Sequence, residues 1–291
     1  MQEQLITFLE GGIESKNTEE LNQSAKQTGV APCAFAALDI ALWDWKAKKA
    51  NLPLNQLLKL PKPSVPTSLT LGIMPPDQVK ERINILFHDS SAKALKIKLG
   101  SPEGIEADKQ MFAQVLESTK QYQVKIRVDA NGGWSTREAI HMMQWLAERG
   151  VDYIEQPLEE GQESELKYLY NKRPLPIYID ESCRYAEDVG KWANHVDGVN
   201  MKLMKCGGIT EALSIIKNAK KYNLKTMIGC MSESSVSIAA GAALSGGIDH
   251  VDLDSHYNLA PDPASGVKLI QGITLPDFVP GHGATLKPQY H

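Results

Sequence analysis

The chain has 291 residues, 42% of them hydrophobic and 23% charged, enough to bury a full core in one large domain with an appendage. A formal net charge of −4 argues against nucleic acid as a partner, no apolar run is long enough to cross a membrane, and the opening MQEQLITFLEGG lacks the basic-then-apolar layout of a secretory leader. Cys33, Cys183, Cys206 and Cys230 are widely spread with no C-x-x-C pair, which speaks against a disulfide framework or a zinc site and leaves a cytoplasmic protein as the expectation.

In chain order, the first 66 residues read as helices, and FAALDIALWDWKAKK (35–49) sets Phe35, Leu38, Ile40, Leu42 and Trp45 at mixed helical spacing, as in a packed helix. Short β-prone runs then alternate with helical segments. The runs cover 67–73, 94–100, 124–130, 153–158, 176–182, 198–204, 225–230 and 250–255. Between them, 101–121 opens on Ser101 and Pro102 as a capping pair, 135–150 starts at Ser135 and stops at Gly150, and 210–223 begins from Thr210. Eight strands joined by helical crossovers describe a parallel sheet, and eight is the number that closes a (β/α) barrel. A doubly wound open sheet is the alternative. It requires a glycine-rich phosphate turn after its first strand, and LGIMPPD is not one.

The strand tips carry the chemistry. VKIRVDANGGW (124–134) delivers Asp129 and Asn131, two apart and so facing the same way, just before two glycines. Lys96 and Lys98 end the second strand, Glu155 the fourth, Asp180 the fifth, Lys202 the sixth, and Asp252 with Asp254 the eighth. One strand–helix unit separates successive acids, so Asp129, Glu155 and Asp180 should share the C-terminal rim, where barrel active sites sit. Carboxylates converging without His or Cys make an all-oxygen site for a hard cation, which suits Mg²⁺. Such an ion binds a substrate carboxylate and stabilises the negative charge formed when the neighbouring carbon loses its proton. A lysine serves as the base only with a lowered pKa, and Lys96 beside Lys98 is expected to supply that through repulsion and desolvation. Lys98 and Lys202 approach from opposite sides of the ring. One can remove a proton from one face while the other delivers a proton to the opposite face, which predicts epimerisation or racemisation.

In this order and spacing, KIK, DANGGW, EQP, DES and NMKLMKCGG resemble the enolase superfamily, specifically its muconate-lactonizing subgroup. The resemblance implies an enolase-type modified barrel, about (β/α)7β, over 67–261, with a capping domain in 1–66 and a C-terminal segment, 262–291, returning toward it. It also implies Asp129, Glu155 and Asp180 as Mg²⁺ ligands with Asn131 behind them, Lys98 and Lys202 as the acid/base pair, and Lys96 as an electrostatic helper. The mandelate racemase branch needs a His at the seventh strand, and MIGCMSE has none.

Asp252 and Asp254, on one face of the eighth strand, suit a substrate ammonium. DLDSH resembles the pattern of dipeptide epimerases of the L-Ala-D/L-Glu type, in which such a D-x-D binds the α-ammonium. Thr70, Met231, Ser232 and Glu233 match positions that line the dipeptide site there. The alternatives are o-succinylbenzoate synthase and N-acylamino acid racemase, which share the lysines and acids but act on substrates without an ammonium. Asp39 and Asp44 resemble a recurrent structural feature of the family, and Cys206 lacks the paired base a nucleophile needs. His256 and His282, in loops expected near the mouth, are as open to a substrate contact as to an ordinary surface role. One departure stands out. The family's cap is a β-sheet followed by helices, and no β-meander is legible before residue 67, so the sheet is expected to be missing. An idle metal-binding barrel or scaffold is the non-enzyme alternative, and homo-oligomer formation is left open.

Overall fold

The computed structural model describes residues 2–12, 17–88 and 90–290. Four helices come first: α1 (Gln2–Glu10), α2 (Thr18–Thr28), α3 (Pro32–Lys49) and α4 (Leu54–Leu57). A capping box starts α2, with Asn17 Oδ1 accepting from the Glu20 amide and the Glu20 carboxylate accepting from the Asn17 amide. No strand precedes residue 68 among the described residues.

The barrel follows as β1 (Ser68–Leu71), α5 (Pro76–Phe87), β2 (Ala94–Lys98), α6 (Ile105–Thr119), β3 (Lys125–Asp129), α7 (Thr136–Ala147), β4 (Val151–Glu155), α8 (Leu166–Lys172), β5 (Ile177–Ile179) and α9 (Ala186–Trp192). It continues with β6 (Gly198–Lys202), α10 (Leu203–Cys206), α11 (Ile209–Lys221), β7 (Lys225–Gly229), α12 (Ser235–Leu244) and β8 (His250–Val251). The eight strands are hydrogen-bonded in sequence order, all parallel. The ring is nearly closed by a single bridge between Thr67 and Val251, backed by the Leu253 amide donating to Thr67 Oγ1 at 2.8 Å.

Outward-facing Leu95, Ile97, Val128, Ile154, Ile177, Val199 and Ile228 are fully buried under the helices. Each such side chain contributes roughly 1.5–3 kcal/mol by leaving water. The sequence SVSIAAGAAL of α12 is apolar or small on every side, and every residue of the helix but the half-buried Val236 is buried, against β11 among other elements. The tail forms β9 (Ala264–Ser265), β10 (Val267–Ile270), β11 (Ile273–Pro276) and β12 (Thr285–Leu286), with β10 and β11 an antiparallel hairpin. No helix among the described residues is long and apolar enough to cross a membrane.

Several boundaries differ from the sequence expectation. The helix expected from Ser101 starts at Ile105, because the Asp108 carboxylate takes the amides of Gly100 and Ser101 and holds that stretch in a turn. Ser135 does cap α7, in a capping box with Glu138. The eighth strand stops at Val251 instead of running to 255. The Thr70 amide, which a longer β8 would engage, is held at 2.6 Å by the Asp254 carboxylate instead.

Candidate active site

Alternation along β3, β4 and β5 sends two layers into the barrel: Arg127 with Asp129, Tyr153 with Glu155, and Tyr178 with Asp180. Below, the rings of Tyr153, Tyr178 and His250 pack at centroid distances of 4.8–5.2 Å, and the Arg127 guanidinium lies over Tyr153. Above this floor sit the three carboxylates, each 0% exposed. Their ligand atoms all lie within 4.8 Å of one another.

Lysines crowd this cluster. Lys96, itself 0% exposed, lies 2.7 Å from Glu155, 2.7 Å from Asp252 and 3.4 Å from Asp129. Lys98 donates to Asp129 at 2.5 Å from β2, while Lys202 pairs with Asp180 from β6, four strands round the ring and so on the opposite side. The triad meets the demands of a hard divalent cation. Its donors are all oxygens, and Glu155 Oε2 and Asp180 Oδ2 are buried without a well-aligned hydrogen bond despite the nearby ammonium groups.

Burial, then the charge of Asp129, pushes Glu155 up to about 7. Burial also acts against the charge of Asp180, but Lys205 and Lys202 outweigh it and hold its carboxyl far below the usual range. A lowered pKa is expected of the base lysine, with Lys96 beside Lys98 supplying the repulsion; at Lys96 itself no lowering is found. Desolvation works in that direction, yet Asp252, Glu155 and Asp129 overcome it and hold the ammonium well above its ordinary value. Lys202 is likewise raised, Asp180 and Glu155 prevailing over burial.

The rim loops refine the remaining expectations. Asn131 lies beyond β3 at φ 46°, exposed, and reaches Asp129 through its main-chain amide at 2.9 Å. Asp252 and Asp254 flank Thr70, whose hydroxyl lies 3.4 and 3.3 Å from them, but they are not equivalent: Asp252 is engaged by Lys96, and Asp254 by the Thr70 amide. Burial, then the charge of Asp252, pushes Asp254 up to about 7. Met231 and Ser232 are exposed on the loop after β7. Glu233 turns inward, accepting from the Met231 amide at 2.7 Å and from Ser237 Oγ at 2.5 Å, so its carboxylate shapes that loop.

His256 is buried after β8, its ring tilted against that of Tyr257 with centroids 4.0 Å apart, and neither ring nitrogen has a hydrogen bond. His282 is buried against α3, its amide donating to Asp44 at 2.9 Å and its Nδ1 accepting from Ala284. Asp39, also on α3, caps α11 by accepting from the Thr210 amide and hydroxyl, in keeping with a structural part.

Four polar neighbours of the triad escaped the sequence reading. Lys205 donates to Asp180 Oδ1 at 2.6 Å, to the Asn200 carbonyl at 2.9 Å and to the Asp180 carbonyl. Asn200 Nδ2 donates to Glu155 at 2.7 Å. Gln156, at φ 37°, bridges the β4 and β5 tips by accepting from the Asp180 amide at 2.8 Å and donating to Ser182 Oγ. Glu181 adds a fourth carboxylate, raised by burial and then by Asp180, with a buried oxygen lacking a hydrogen bond. Residues two apart on β6 would have flagged Asn200 beside Lys202.

Comparison with known proteins follows the same lines. Residues 78–290 match the enolase C-terminal domain-like family, and residues 2–59 match the mandelate racemase/muconate lactonizing enzyme N-terminal domain. The chain is 63% identical over 291 residues to a hydrophobic dipeptide epimerase of Flavobacteria bacterium (strain MS024-2A), covering 100% of this chain and 83% of that protein. It is 55% identical to a hydrophobic dipeptide epimerase of Roseobacter litoralis, covering 98% and 82%. Among solved structures, the dipeptide epimerase of Enterococcus faecalis V583 complexed with Mg and the dipeptide L-Leu-L-Tyr superposes with a TM-score of 0.87 at 34% identity, over 98% of this chain and 82% of that one.

Proposed function

Because the chain belongs to the mandelate racemase/muconate lactonizing enzyme branch of the enolase superfamily, matched along both its N-terminal and barrel regions, we propose that it is a Mg²⁺-dependent dipeptide epimerase acting on apolar dipeptides. One observation carries the chemistry: two lysines reach the carboxylate cluster from strands on opposite sides of one ring. Lys98 and Lys202 are the acid/base pair. One, as the free amine, takes the proton from the carbon next to the substrate carboxylate, and the other, as the ammonium, returns a proton to the far face. Asp129, Glu155 and Asp180 hold the metal, and Asn131 steadies Asp129 through its amide. Bound there, Mg²⁺ supplies hard positive charge that fixes a substrate carboxylate and offsets the negative charge developing on it. Lys96 stays protonated among its three carboxylates as a fixed cation beside the reacting centre.

Asp254, aided by Asp252 and Thr70, receives the free α-ammonium, and the exposed Met231 and Ser232 with the inward Glu233 shape the adjoining wall. The domain reading is residues 1–66 as part of the cap, 67–261 as the barrel, and 262–291 returning to the cap. Supporting that return, the Leu54 amide donates to Gly281 and the Gly281 amide to Leu52. The thiols of Cys183, Cys206 and Cys230, none of them in a disulfide, fit a reducing, cytoplasmic setting. The test is a dipeptide library incubated in D₂O with Mg²⁺ and read by mass shift. Incorporation of one deuterium at the C-terminal α-carbon is expected, and a library that stays unlabelled throughout would refute the assignment.

A further inference from the structure

The inward face of β7 ends on Gly229, in register with Lys202 of β6. Its backbone lies outside the left-handed region, so nothing conformational demands a glycine there. Space does. A Cβ at this position would stand 2.9 Å from Asn200 Nδ2, 3.0 Å from Asn200 Oδ1 and 3.3 Å from Lys202 Cε. The first contact is too short to persist without a shift, and the other two are tight enough that the neighbouring atoms must give by a few tenths of an ångström. Asn200 does not step aside freely, being 0% exposed and bonded through that same Nδ2 to Glu155 at 2.7 Å.

We infer that Gly229 is a positioning residue for the reaction: the room left by its missing side chain holds both the amide that orients Glu155 and the stem of Lys202. One glycine thereby couples a carboxylate of the triad to one of the two bases. Lys98, across the ring on β2, supplies none of the three heavy atoms nearest to a Cβ there. The inference rests on the two-lysine epimerase reading and adds an asymmetry to it, since crowding at 229 should disturb one stereochemical face more than the other.

The experiment compares wild type, Gly229→Ala and Asn200→Ser/Gly229→Ala by three measurements: α-carbon deuterium exchange from L-Leu-L-Tyr and from L-Leu-D-Tyr, Mg²⁺ affinity by calorimetry, and thermal melting. Lys202→Ala run in parallel identifies which isomer Lys202 serves. In Gly229→Ala, exchange from that isomer is expected to fall about ten- to a hundredfold further than from the other, the scale expected when a reacting group is displaced by a fraction of an ångström to an ångström. Mg²⁺ affinity should fall as well, because Asn200 is pushed off Glu155. The double variant, whose shorter side chain vacates the space, should bring the two isomers back toward parity, and it carries the comparison should Gly229→Ala fail to fold. Equal losses from both isomers, or none, would overturn the inference. Wild type that exchanges neither isomer would sink the epimerase reading instead; calorimetry then decides alone, unchanged Mg²⁺ affinity in Gly229→Ala overturning the role of the glycine.

Discussion

Lys96 and Asp252 form an ion pair of 2.7 Å in which the ammonium is wholly buried. Through that one lysine Asp252 is tied to Glu155 and Asp129, whereas Asp254 is tied to β1 through Thr70. The two aspartates of DLDSH therefore belong to different contact networks. Asp254→Asn should cut the preference for a free dipeptide over its N-acetyl derivative, since a charge-assisted contact is worth about 1.5–3 kcal/mol, roughly ten- to a hundredfold in kcat/KM. Asp252→Asn should instead lower the melting temperature of the metal-free protein more than Asp254→Asn does, because it removes an anion from a buried ammonium. With Asp254 pushed up to about 7, its charge is lost as pH falls below that value, so the preference for the free dipeptide should shrink on acidification. Kinetics on matched free and acetylated dipeptides between pH 6 and 8.5 check this; a preference indifferent to Asp254→Asn would refute the ammonium site.

Asp180→Asn should weaken Mg²⁺ binding, because an oxygen ligand is replaced by a poorer one. Lys202 and Lys205 would also lose their shared anion, so the metal-free variant should stay folded but melt earlier than wild type. Calorimetry and melting curves measure the two effects. Wild-type affinity in the variant would remove Asp180 from the metal site.

The lysines separate by stereochemistry. Lys202→Ala should abolish net epimerisation yet leave Lys98 able to exchange the α-proton of one isomer, and Lys98→Ala should do the reverse. NMR of each isomer in D₂O reads the result. Loss of exchange from both isomers in both variants would leave opposite-face catalysis without support.

His256 is held neutral in the fold, burial lowering its pKa to about 4 against an ordinary value near 6.5. The unfolded chain binds the proton more readily, so this residue's contribution to stability is present above about 6.5 and is lost as pH falls toward 4, a difference of up to about 3 kcal/mol. Glu155 and Asp254, both pushed up to about 7, have the opposite slope, their contribution fading as pH rises through that value. The informative quantity is therefore the difference between wild type and His256→Phe. Urea unfolding at pH 7 and pH 5 should show the variant losing less stability than wild type over that step; parallel losses would contradict the assignment.

The barrel and its triad were legible in the sequence because each acid ends a β-prone run one strand–helix unit after the last, and strand alternation fixes which residues face inward. The partners on neighbouring strands were not. Asn200 on β6 meets Glu155 on β4, two strands away, and Lys205 reaches back to Asp180 from the first turn after β6, contacts between elements distant in sequence that spacing does not display. The anionic surroundings of Lys96 were hidden for a related reason. Spacing displays Lys96 beside Lys98, but it does not display three carboxylates converging on one ammonium. The short β8 was also hidden, since DLDSH alternates like a strand until Asp254 takes the Thr70 amide.

That last contact makes the barrel's seam and the carboxylate proposed for the substrate ammonium one object. Asp254 substitutes for a missing rung between the first and last strands, so any ligand that draws on its oxygens must share them with the Thr70 amide. Occupancy of the pocket should therefore be felt as tension across the seam. Amide protection at Thr70 becomes a gauge of ligation, readable by hydrogen exchange in a protein where no turnover has yet occurred.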